Sequence, residues 1–281
     1  MALPATNKPP RIQLVIADID GTLINREKLL TPRSVQAVKR LQDAGILFGV
    51  TTGRPPKGTK MLVDSLAGLK FIAGFNGGII VRRDFSLFKQ NLLPAEVAEE
   101  VVEMIEEHDM DVWLYTDKEW FVRDPHAYRV DREEATVQFP PKVTPAFDSL
   151  FDRVVKIVGI SKDYDAVAQC EKDVQDSFGT SVSAARSQPF YLDVTHPSAN
   201  KGEVVHLAAE FAGIPLAAIA TIGDMPNDIT MFKRSGVSIA MGNASAEVQK
   251  AATYVTASNE EEGFAQAMED FILPQDEVSA A

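Results

Sequence analysis

Short apolar runs and amphipathic segments alternate over the first quarter of the chain. Ile12–Ala17 is a β-branched and aliphatic run, which is typical of a strand buried in the middle of a parallel sheet. Thr31–Pro32 then predicts the start of a helix that ends at Gly45. Ile46–Thr51 and Phe71–Phe75 are predicted as the next two strands. This order indicates βα units with parallel strands.

The pattern changes in the middle of the chain. Two hairpins are predicted, Ile79–Val81 with Ser86–Leu92 and Val112–Tyr115 with Trp120–Arg123. Residues 125–145 give no readable pattern. The other predicted elements of this region are helices at 95–108 and 164–178 and strands at 154–160, 180–185 and 190–194. Hairpins mixed with helices predict an α+β insert, which we place at residues 89–192.

After residue 195 the alternation of helix and strand resumes. A helix is predicted at Lys201–Ala212, and strands are predicted at Ala217–Ile222 and Val237–Ala240. The sequence therefore predicts an α/β protein with two domains. Residues 1–88 and 193–281 form the core, and residues 89–192 form the inserted domain.

Two carboxylates follow the first predicted strand directly. Asp18 and Asp20 are two residues apart, so an extended backbone would point both side chains the same way. Gly21 would then let the backbone turn away. Open α/β sheets bind ligands at the carboxyl ends of their strands, so this is a candidate site. The alternative is an Asx turn that only closes the strand.

A second acidic pair lies near the end of the chain. Asp224 ends another apolar strand, and Asp228 follows one helical turn later. If the four carboxylates meet at one sheet edge, a cation or protonation must relieve their repulsion, and oxygen ligands of this kind suit Mg²⁺. Lys201 is the expected counter-charge, because a cation at a helix start is unfavourable unless an anion lies nearby. Taken alone, these residues could be a helix cap and a solvated lysine.

Composition limits the expected partners. The formal net charge of -12 argues against nucleic acid and against an anionic membrane. The longest apolar stretch, residues 213–223, is too short to span a bilayer, and the first residues do not resemble a signal peptide. Cys170 is the only cysteine, which excludes an internal disulfide. We expect a cytoplasmic protein that is a monomer or a small homo-oligomer.

Four stretches carry the polar residues that end the predicted core strands or open a core helix. They are Asp18-Ile19-Asp20-Gly21-Thr22, Thr52-Gly53-Arg54, Asn200-Lys201-Gly202 and Gly223-Asp224-x-x-Asn227-Asp228. In this order they resemble the four motifs of the haloacid-dehalogenase superfamily of phosphotransferases, in its Cof-like subfamily of sugar-phosphate phosphatases. The resemblance implies a Rossmann-like parallel-sheet core with a large α/β cap domain inserted between the second and third motifs.

The resemblance also implies a role for each motif residue. Asp18 would be the nucleophile and a Mg²⁺ ligand, and Asp20 would be a general acid/base whose carbonyl also binds the metal. Asp224 would be a metal ligand, supported by Asp228. The residues implied to hold the phosphate are Thr52, Gly53, Lys201 and Asn227.

The predicted function is therefore a Mg²⁺-dependent phosphatase that forms an aspartyl-phosphate. A phosphomutase or other phosphotransferase on the same scaffold is an alternative. A non-enzymatic phospho-acceptor module is a second alternative. Asp20 argues against the acceptor module, because an acid/base two residues after the nucleophile speeds hydrolysis of an intermediate that a signalling module must preserve.

The predicted substrate is a small phosphorylated metabolite, most simply a sugar phosphate. An inserted domain of roughly one hundred residues has the size of a small domain and could enclose such a ligand. The candidate substrate contacts are polar residues at the core rim and at the end of the insert: Arg54, Asn76, Arg186, Ser187, Tyr191 and Asp193. The alternative is that each of these is an ordinary loop or strand residue.

Overall fold

Helices and strands alternate along most of the chain in the computed structural model, which describes residues 11–273. The strands are β1 Leu14–Asp18, β2 Leu47–Thr51, β3 Leu69–Gly74, β4 Ile79–Arg82, β5 Leu87–Gln90, β6 Asp111–Tyr115, β7 Trp120–Val122, β8 Lys142–Val143, β9 Lys156–Ile160, β10 Ser183–Gln188, β11 Tyr191–Thr195, β12 Ile219–Gly223, β13 Val237–Ala240 and β14 Tyr254–Val255. The helices are α1 Pro32–Asp43, α2 Lys60–Ser65, α3 Ala95–Glu107, α4 Val130–Val137, α5 Tyr164–Phe178, α6 Lys201–Ala212, α7 Ile229–Phe232, α8 Ala246–Ala251 and α9 Gly263–Ala267. The two ends of the predicted core, residues 1–10 and 274–281, lie outside the described residues.

The core is a Rossmann-like sheet of eight strands in the order β14-β13-β12-β1-β2-β3-β4-β5. The strands β1, β12, β13 and β14 pair in parallel, whereas β3, β4 and β5 pair antiparallel. All five residues of β1 are buried, which explains its continuous apolar sequence up to Asp18. The strand therefore delivers Asp18 at its carboxyl end, where α/β sheets bind ligands.

Local sequence signals explain where the first helix begins and ends. The Thr31 hydroxyl accepts a hydrogen bond from the Ser34 N–H (3.2 Å), and Pro32 occupies the first turn of α1. Gly45 follows the helix with a φ of 75°, a left-handed conformation that favours glycine. The predicted helix is thus confirmed, and it buries Val38 and Leu41.

A second sheet of six strands has the order β10-β11-β9-β6-β7-β8. One face packs against α3 and α5, and the apolar cluster there includes Ile105, Leu114 and Leu192. Cys170 of α5 is also buried in this cluster, and burial raises the pKa of its thiol to about 12. Because side chains alternate along a strand, Trp113 of β6 and Tyr191 of β11 lie on the opposite face.

The structure resolves most expectations for the middle of the chain. Both predicted hairpins are confirmed, as the antiparallel pairs β4–β5 and β6–β7. The two strands predicted before residue 195 form the antiparallel pair β10–β11. Residues 125–145, which had no readable pattern, contain α4 and the two-residue strand β8. This helix carries Glu133, which accepts hydrogen bonds from two tyrosines.

The described chain divides into two compact units. One consists of the residues up to Val50, Ser65–Lys70 and the residues from Lys201 onward, and the other consists of Thr51–Asp64 and Phe71–Asn200. The division into a core and a cap with boundaries at residues 89 and 192 stays a prediction. In the part of the chain that is described, no helix is long and apolar enough to cross a membrane.

Candidate active site

Lys201 lies at the centre of a buried group of charges in the first unit. Its Nζ donates to Asp18 Oδ1 at 2.6 Å and to Asp228 Oδ1 at 2.5 Å. The Lys201 side chain is only 2% exposed, and its pKa is raised because the two carboxylates outweigh the effect of burial. A lysine at the first position of α6 would be unfavourable without these anions, so the solvated-lysine alternative is excluded.

Asp228 is held from two sides. Its Oδ2 accepts hydrogen bonds from the backbone N–H groups of Asp224 (2.9 Å) and Met225 (2.8 Å), while its Oδ1 accepts from Lys201. A Cβ on Gly223 would lie 2.3 Å from Asp228 Cγ, so a side chain there would displace the carboxylate. Asp228 is therefore fixed in its position and fully buried.

Asp224 is oriented by two neutral donors. The Thr22 hydroxyl donates to Asp224 Oδ1 (3.3 Å), and Asn243 Nδ2 donates to Asp224 Oδ2 (3.2 Å). Gly21 has a φ of 82°, and a Cβ there would lie 2.3 Å from the same carboxylate. The turn after β1 thus leaves just enough space for the carboxylate at the end of β12.

Asp18, Asp224 and Asp228 could hold a metal ion, since each offers an oxygen within 4.8 Å of the other two. With all three ionised and Lys201 protonated, the group keeps two net negative charges. The pKa of Asp18 is raised to about 8 and that of Asp224 to about 6, mainly because both carboxyl groups are buried. Neighbouring carboxylates raise both pKa values further. A divalent cation would relieve this repulsion, and the all-oxygen donor set suits a hard cation.

Asp20 is not part of this three-carboxylate group. Its Oδ1 accepts from Lys28 Nζ at 2.7 Å, in a pair whose side chains are 33% and 56% exposed. Of the four carboxylates predicted at this sheet edge, three therefore lie together and Asp20 lies in a more exposed position. No feature of the sequence singles out Lys28 as its partner.

In the second unit, the backbone N–H groups of Arg54 and Asn76 both donate to Thr52. The Arg54 N–H donates to Thr52 Oγ1 (3.1 Å), and the Asn76 N–H donates to the Thr52 carbonyl (2.8 Å). Thr52 and Arg54 are buried, whereas Gly53 is exposed. Asn76 has a φ of 55°, a conformation that asparagine tolerates better than most residues. The loops after β2 and β3 are thus held together.

Arg186 and Ser187 do not share an environment, although they are adjacent in β10. Arg186 Nε lies 2.7 Å from Glu171 Oε2 of α5, and its backbone N–H donates to the other oxygen of Glu171. Ser187 lines a cavity on the opposite face of the sheet, together with Tyr191. The candidate substrate contacts of the insert are therefore divided between two faces.

Tyr191 and Asp193 belong to a network that joins β11 to α4. The Tyr115 and Tyr191 hydroxyls both donate to Glu133 Oε1, at 2.5 and 3.4 Å. Burial is the main cause that raises the pKa values of both tyrosines. Lys156 Nζ lies 2.5 Å from Asp193 Oδ1 and 5.1 Å from the centre of the Tyr191 ring.

The sequence predicts one of two asparagines in the first unit, Asn227, as a site residue but does not predict the other, Asn243. Asn227 is a motif residue; it is exposed, and its carbonyl accepts from the Thr230 hydroxyl (2.8 Å). Asn243 is not among the predicted site residues, although it closely follows β13, a neighbour of β12. Its position just after a strand of the same sheet is the feature of the sequence that could have indicated Asn243 as a site residue.

The chain is similar to known proteins over most of its length. The family model of haloacid dehalogenase-like hydrolases matches residues 15–268. The 5-amino-6-(5-phospho-D-ribitylamino)uracil phosphatase YwtE of Bacillus subtilis is 28% identical, over 94% of this chain and 99% of its own length. The pyridoxal phosphate phosphatase YbhA of Escherichia coli is 25% identical, over 90% of this chain and 96% of its own. A crystal structure of a haloacid dehalogenase-like hydrolase from Bacteroides thetaiotaomicron superposes with a TM-score of 0.84 at 27% identity, covering 92% of this chain and 99% of that one.

Proposed function

This chain belongs to the haloacid dehalogenase-like hydrolases, and on that premise we propose that it is a Mg²⁺-dependent phosphatase of small phosphorylated metabolites that works through an aspartyl-phosphate. The observation that carries the proposal is the buried group in which Asp18 and Asp228 share Lys201 beside Asp224. Such a group combines a carboxylate nucleophile, a fixed positive charge and oxygen ligands for a divalent cation.

The first half-reaction would begin at Asp18. A phosphate monoester resists attack because the nucleophile and the substrate are both anionic, and Lys201 offers positive charge next to the attacking oxygen. One Asp18 oxygen would bond to phosphorus while the bond from phosphorus to the alcohol oxygen breaks. Asp20 would give a proton to the departing alcohol. Mg²⁺, when held by Asp18, Asp224 and the Asp20 carbonyl with Asp228 in support, would neutralise phosphate charge.

The second half-reaction would return the enzyme to its starting state. Asp20, now ionised, would take a proton from a water molecule that attacks the phosphorus of the aspartyl-phosphate. The bond between phosphorus and the Asp18 oxygen breaks, which releases inorganic phosphate and restores the carboxylate. The proposed phosphate contacts are Thr52, Gly53, Lys201 and Asn227.

We propose a sugar phosphate or a similar polyol phosphate as the substrate. The named relatives act on a phosphorylated ribitylamino compound and on pyridoxal phosphate, both of which are small phosphorylated molecules. The proposed substrate contacts are Arg54, Asn76, Arg186, Ser187, Tyr191 and Asp193. A cytoplasmic location and a monomer or small homo-oligomer complete the proposal, and the net charge of -12 disfavours nucleic acid as a partner.

A screen of phosphorylated metabolites tests the proposal. Phosphate release would be measured with Mg²⁺ for the wild-type protein and for Asp18→Asn, which serves as the blank. We expect release from at least one sugar or polyol phosphate well above the blank. Turnover that requires a bisphosphate activator and releases no phosphate would identify a mutase instead. A stable phosphoprotein without turnover would identify an acceptor module.

A further inference from the structure

A cavity of about 450 Å³ lies between α4 and the face of the six-stranded sheet that α3 and α5 leave uncovered. Its volume is within the usual range of ligand pockets. The lining residues that could bind a ligand are Trp113, Arg129, Arg132, Glu133, Phe190 and Tyr191. The cavity lies at the end of the sheet where Tyr191 of β11 pairs with Ile160 of β9. At the opposite end of the sheet, Lys156 of β9 pairs with Thr195 of β11 and with Tyr115 of β6.

Two hydrogen-bond donors among these residues are buried without an acceptor. They are Trp113 Nε1 and Arg129 Nε, and Trp113 as a whole is only 1% exposed. A buried donor that lacks an acceptor is destabilising, because it has lost its hydrogen bonds to water without replacement. Within residues 11–273, neither Arg129 nor Arg132 has a carboxylate partner in a salt bridge. The cavity therefore presents positive charge that no carboxylate of the described chain balances, and a bound acceptor would satisfy the two buried donors once their side chains turn toward it.

The one acidic group among the lining residues is already engaged. Glu133 Oε1 accepts from the hydroxyls of Tyr115 and Tyr191. Two arginines against one engaged carboxylate leave the cavity with a net positive charge. An anionic ligand would meet favourable charge here, whereas a cation would not.

The walls of the cavity are flat and aromatic. The Arg129 guanidinium lies 3.8 Å from the centre of the Phe190 ring, and Trp113 and Tyr191 pack edge to face with centroids 5.6 Å apart. A planar group packs well against such rings, and the guanidinium above Phe190 places positive charge beside them. Flat walls together with unfilled donors favour a planar acid.

We propose that this cavity binds a small planar organic acid, an aromatic or heteroaromatic ring that carries a carboxylate or another oxyanion. The oxyanion accepts from Arg129, with Arg132 adding charge, and the ring packs against Phe190 and Tyr191. Because Ser187 and Tyr191 line this cavity and are also proposed substrate contacts, the inference rests in part on the proposed function, but its failure is distinguishable because binding is measurable without turnover.

Benzoate, nicotinate and orotate are suitable probes because they carry the ring and the anion but no phosphate. Calorimetric titration of the full-length protein with each acid measures binding, and the two tryptophans of the chain, Trp113 and Trp120, supply a fluorescence signal beside the cavity. Benzamide lacks the charge, and cyclohexanecarboxylate lacks the planar ring. We expect at least one of the acids to bind at millimolar concentration or below, and both benzoate analogues to bind about tenfold more weakly than benzoate or worse.

Variants locate the site. Arg129→Gln is expected to weaken binding about tenfold or more, and Arg132→Gln is expected to weaken it less, since a charge-assisted hydrogen bond is lost only in the first. Arg123→Gln is the matched control, because Arg123 also stacks on a phenylalanine but is paired with Glu106 at 2.6 Å and lines a different cavity. Failure of all three acids to bind, or equal binding to wild type and Arg129→Gln, would overturn the proposal.

The planar acid could be the remote part of a substrate or a separate effector. Hydrolysis of p-nitrophenyl phosphate in the presence of the bound acid separates these sources. Competitive inhibition that disappears in Arg129→Gln identifies part of the substrate. Binding without competition identifies an effector. Either result supports the site, and neither depends on which metabolite is hydrolysed.

Discussion

Lys201 Nζ donates to Asp18 Oδ1 at 2.6 Å, a bond between residues 183 positions apart in the chain. The lysine opens α6 and the aspartate ends β1, and both side chains are buried, with 2% and 7% exposure. Breaking such a pair by removing one partner leaves an uncompensated buried charge. Loss of either partner is therefore expected to affect both the charge of the site and the stability of the core.

Lys201→Met is expected to lower phosphate release by roughly 10²-fold or more, because a positive charge beside the attacking oxygen is lost. Loss of the counter-charge is also expected to destabilise the fold by about 3–5 kcal/mol. Steady-state kinetics and urea unfolding measure the two effects. Lys60→Met is the control, since Lys60 pairs with Asp64 in an exposed i,i+4 position. Wild-type kinetics for Lys201→Met would remove the lysine from the mechanism.

Asp18→Asn is expected to reduce turnover by roughly 10³-fold or more, since an amide keeps the shape of the side chain but is not a nucleophile. The fold should remain intact, which circular dichroism checks. Asp20→Asn should instead slow both half-reactions and change the pH dependence of the rate. Asp43→Asn, an exposed change elsewhere in the first unit, is the control. Substantial activity in Asp18→Asn would assign the nucleophile to another residue.

Local signals predict the elements of the core because each strand end or helix start carries its own mark. The Thr31 cap, the apolar run before Asp18 and the lysine at the start of α6 all lie where these marks predict them. The sequence could not predict contacts that depend on distant packing. Lys28 reaches Asp20 across the turn after β1, and Asn243 reaches Asp224 from 19 residues away. Neither contact follows from spacing or periodicity.

The insert shows the same limit more strongly. Arg186 and Asp193 are seven positions apart in the sequence near the predicted end of the insert, but Arg186 pairs with Glu171 and Asp193 pairs with Lys156. Glu133 lies in a stretch without a readable pattern, yet it accepts from two tyrosines. Short, irregular elements such as α4 are fixed by what they pack against, so their own residues carry little signal.

Removal of divalent metal is expected to abolish activity. A chelator should reduce phosphate release to the level of the Asp18→Asn blank, and Mg²⁺ should restore it better than Ca²⁺ does. Mg²⁺ holds the tight octahedral geometry that in-line transfer requires, whereas Ca²⁺ takes more ligands at longer distances. Rates are measured after dialysis against the chelator and readdition of each ion. Equal rates with Ca²⁺, or full activity without any metal, would contradict the cation argument.

The metal-free protein is expected to lose stability as the pH rises. Burial raises the folded-state pKa of Asp18 to about 8 and that of Asp224 to about 6, above their ordinary value of 3.8. The folded protein therefore keeps protons that the unfolded chain releases, and this contribution is full below about pH 4 and is lost as the pH rises through 6 and 8. The raised pKa of Lys201 keeps the lysine charged throughout this range.

Thermal unfolding in chelator, at several pH values between about 4 and 8, measures the Asp18 part of this contribution as the Tm of wild type minus that of Asp18→Asn. The difference should fall as the pH rises, because the variant lacks the titrating carboxyl. Saturating Mg²⁺ should reduce this pH dependence, since a bound cation favours the ionised form. A difference that rises with pH would mean that Asp18 is ionised throughout and that Lys201 dominates its pKa.

Two charged side chains near the predicted end of the insert, Arg186 and Asp193, are expected to recognise the substrate. Arg186→Ala and Asp193→Ala should both raise KM for the preferred sugar phosphate, by roughly tenfold if a hydrogen bond to a charged group is lost. Turnover of p-nitrophenyl phosphate should change little, since that substrate needs only the core.

The ion pairs of these residues supply matched controls. Glu171→Gln frees Arg186, and Lys156→Met frees Asp193, without removing either candidate contact. If Glu171→Gln raises KM as much as Arg186→Ala does, the arginine acts by holding β10 to α5. If Asp193→Ala lowers turnover of both substrates equally, the Asp193–Lys156 pair supports the fold or the chemistry, and recognition must be assigned to other residues.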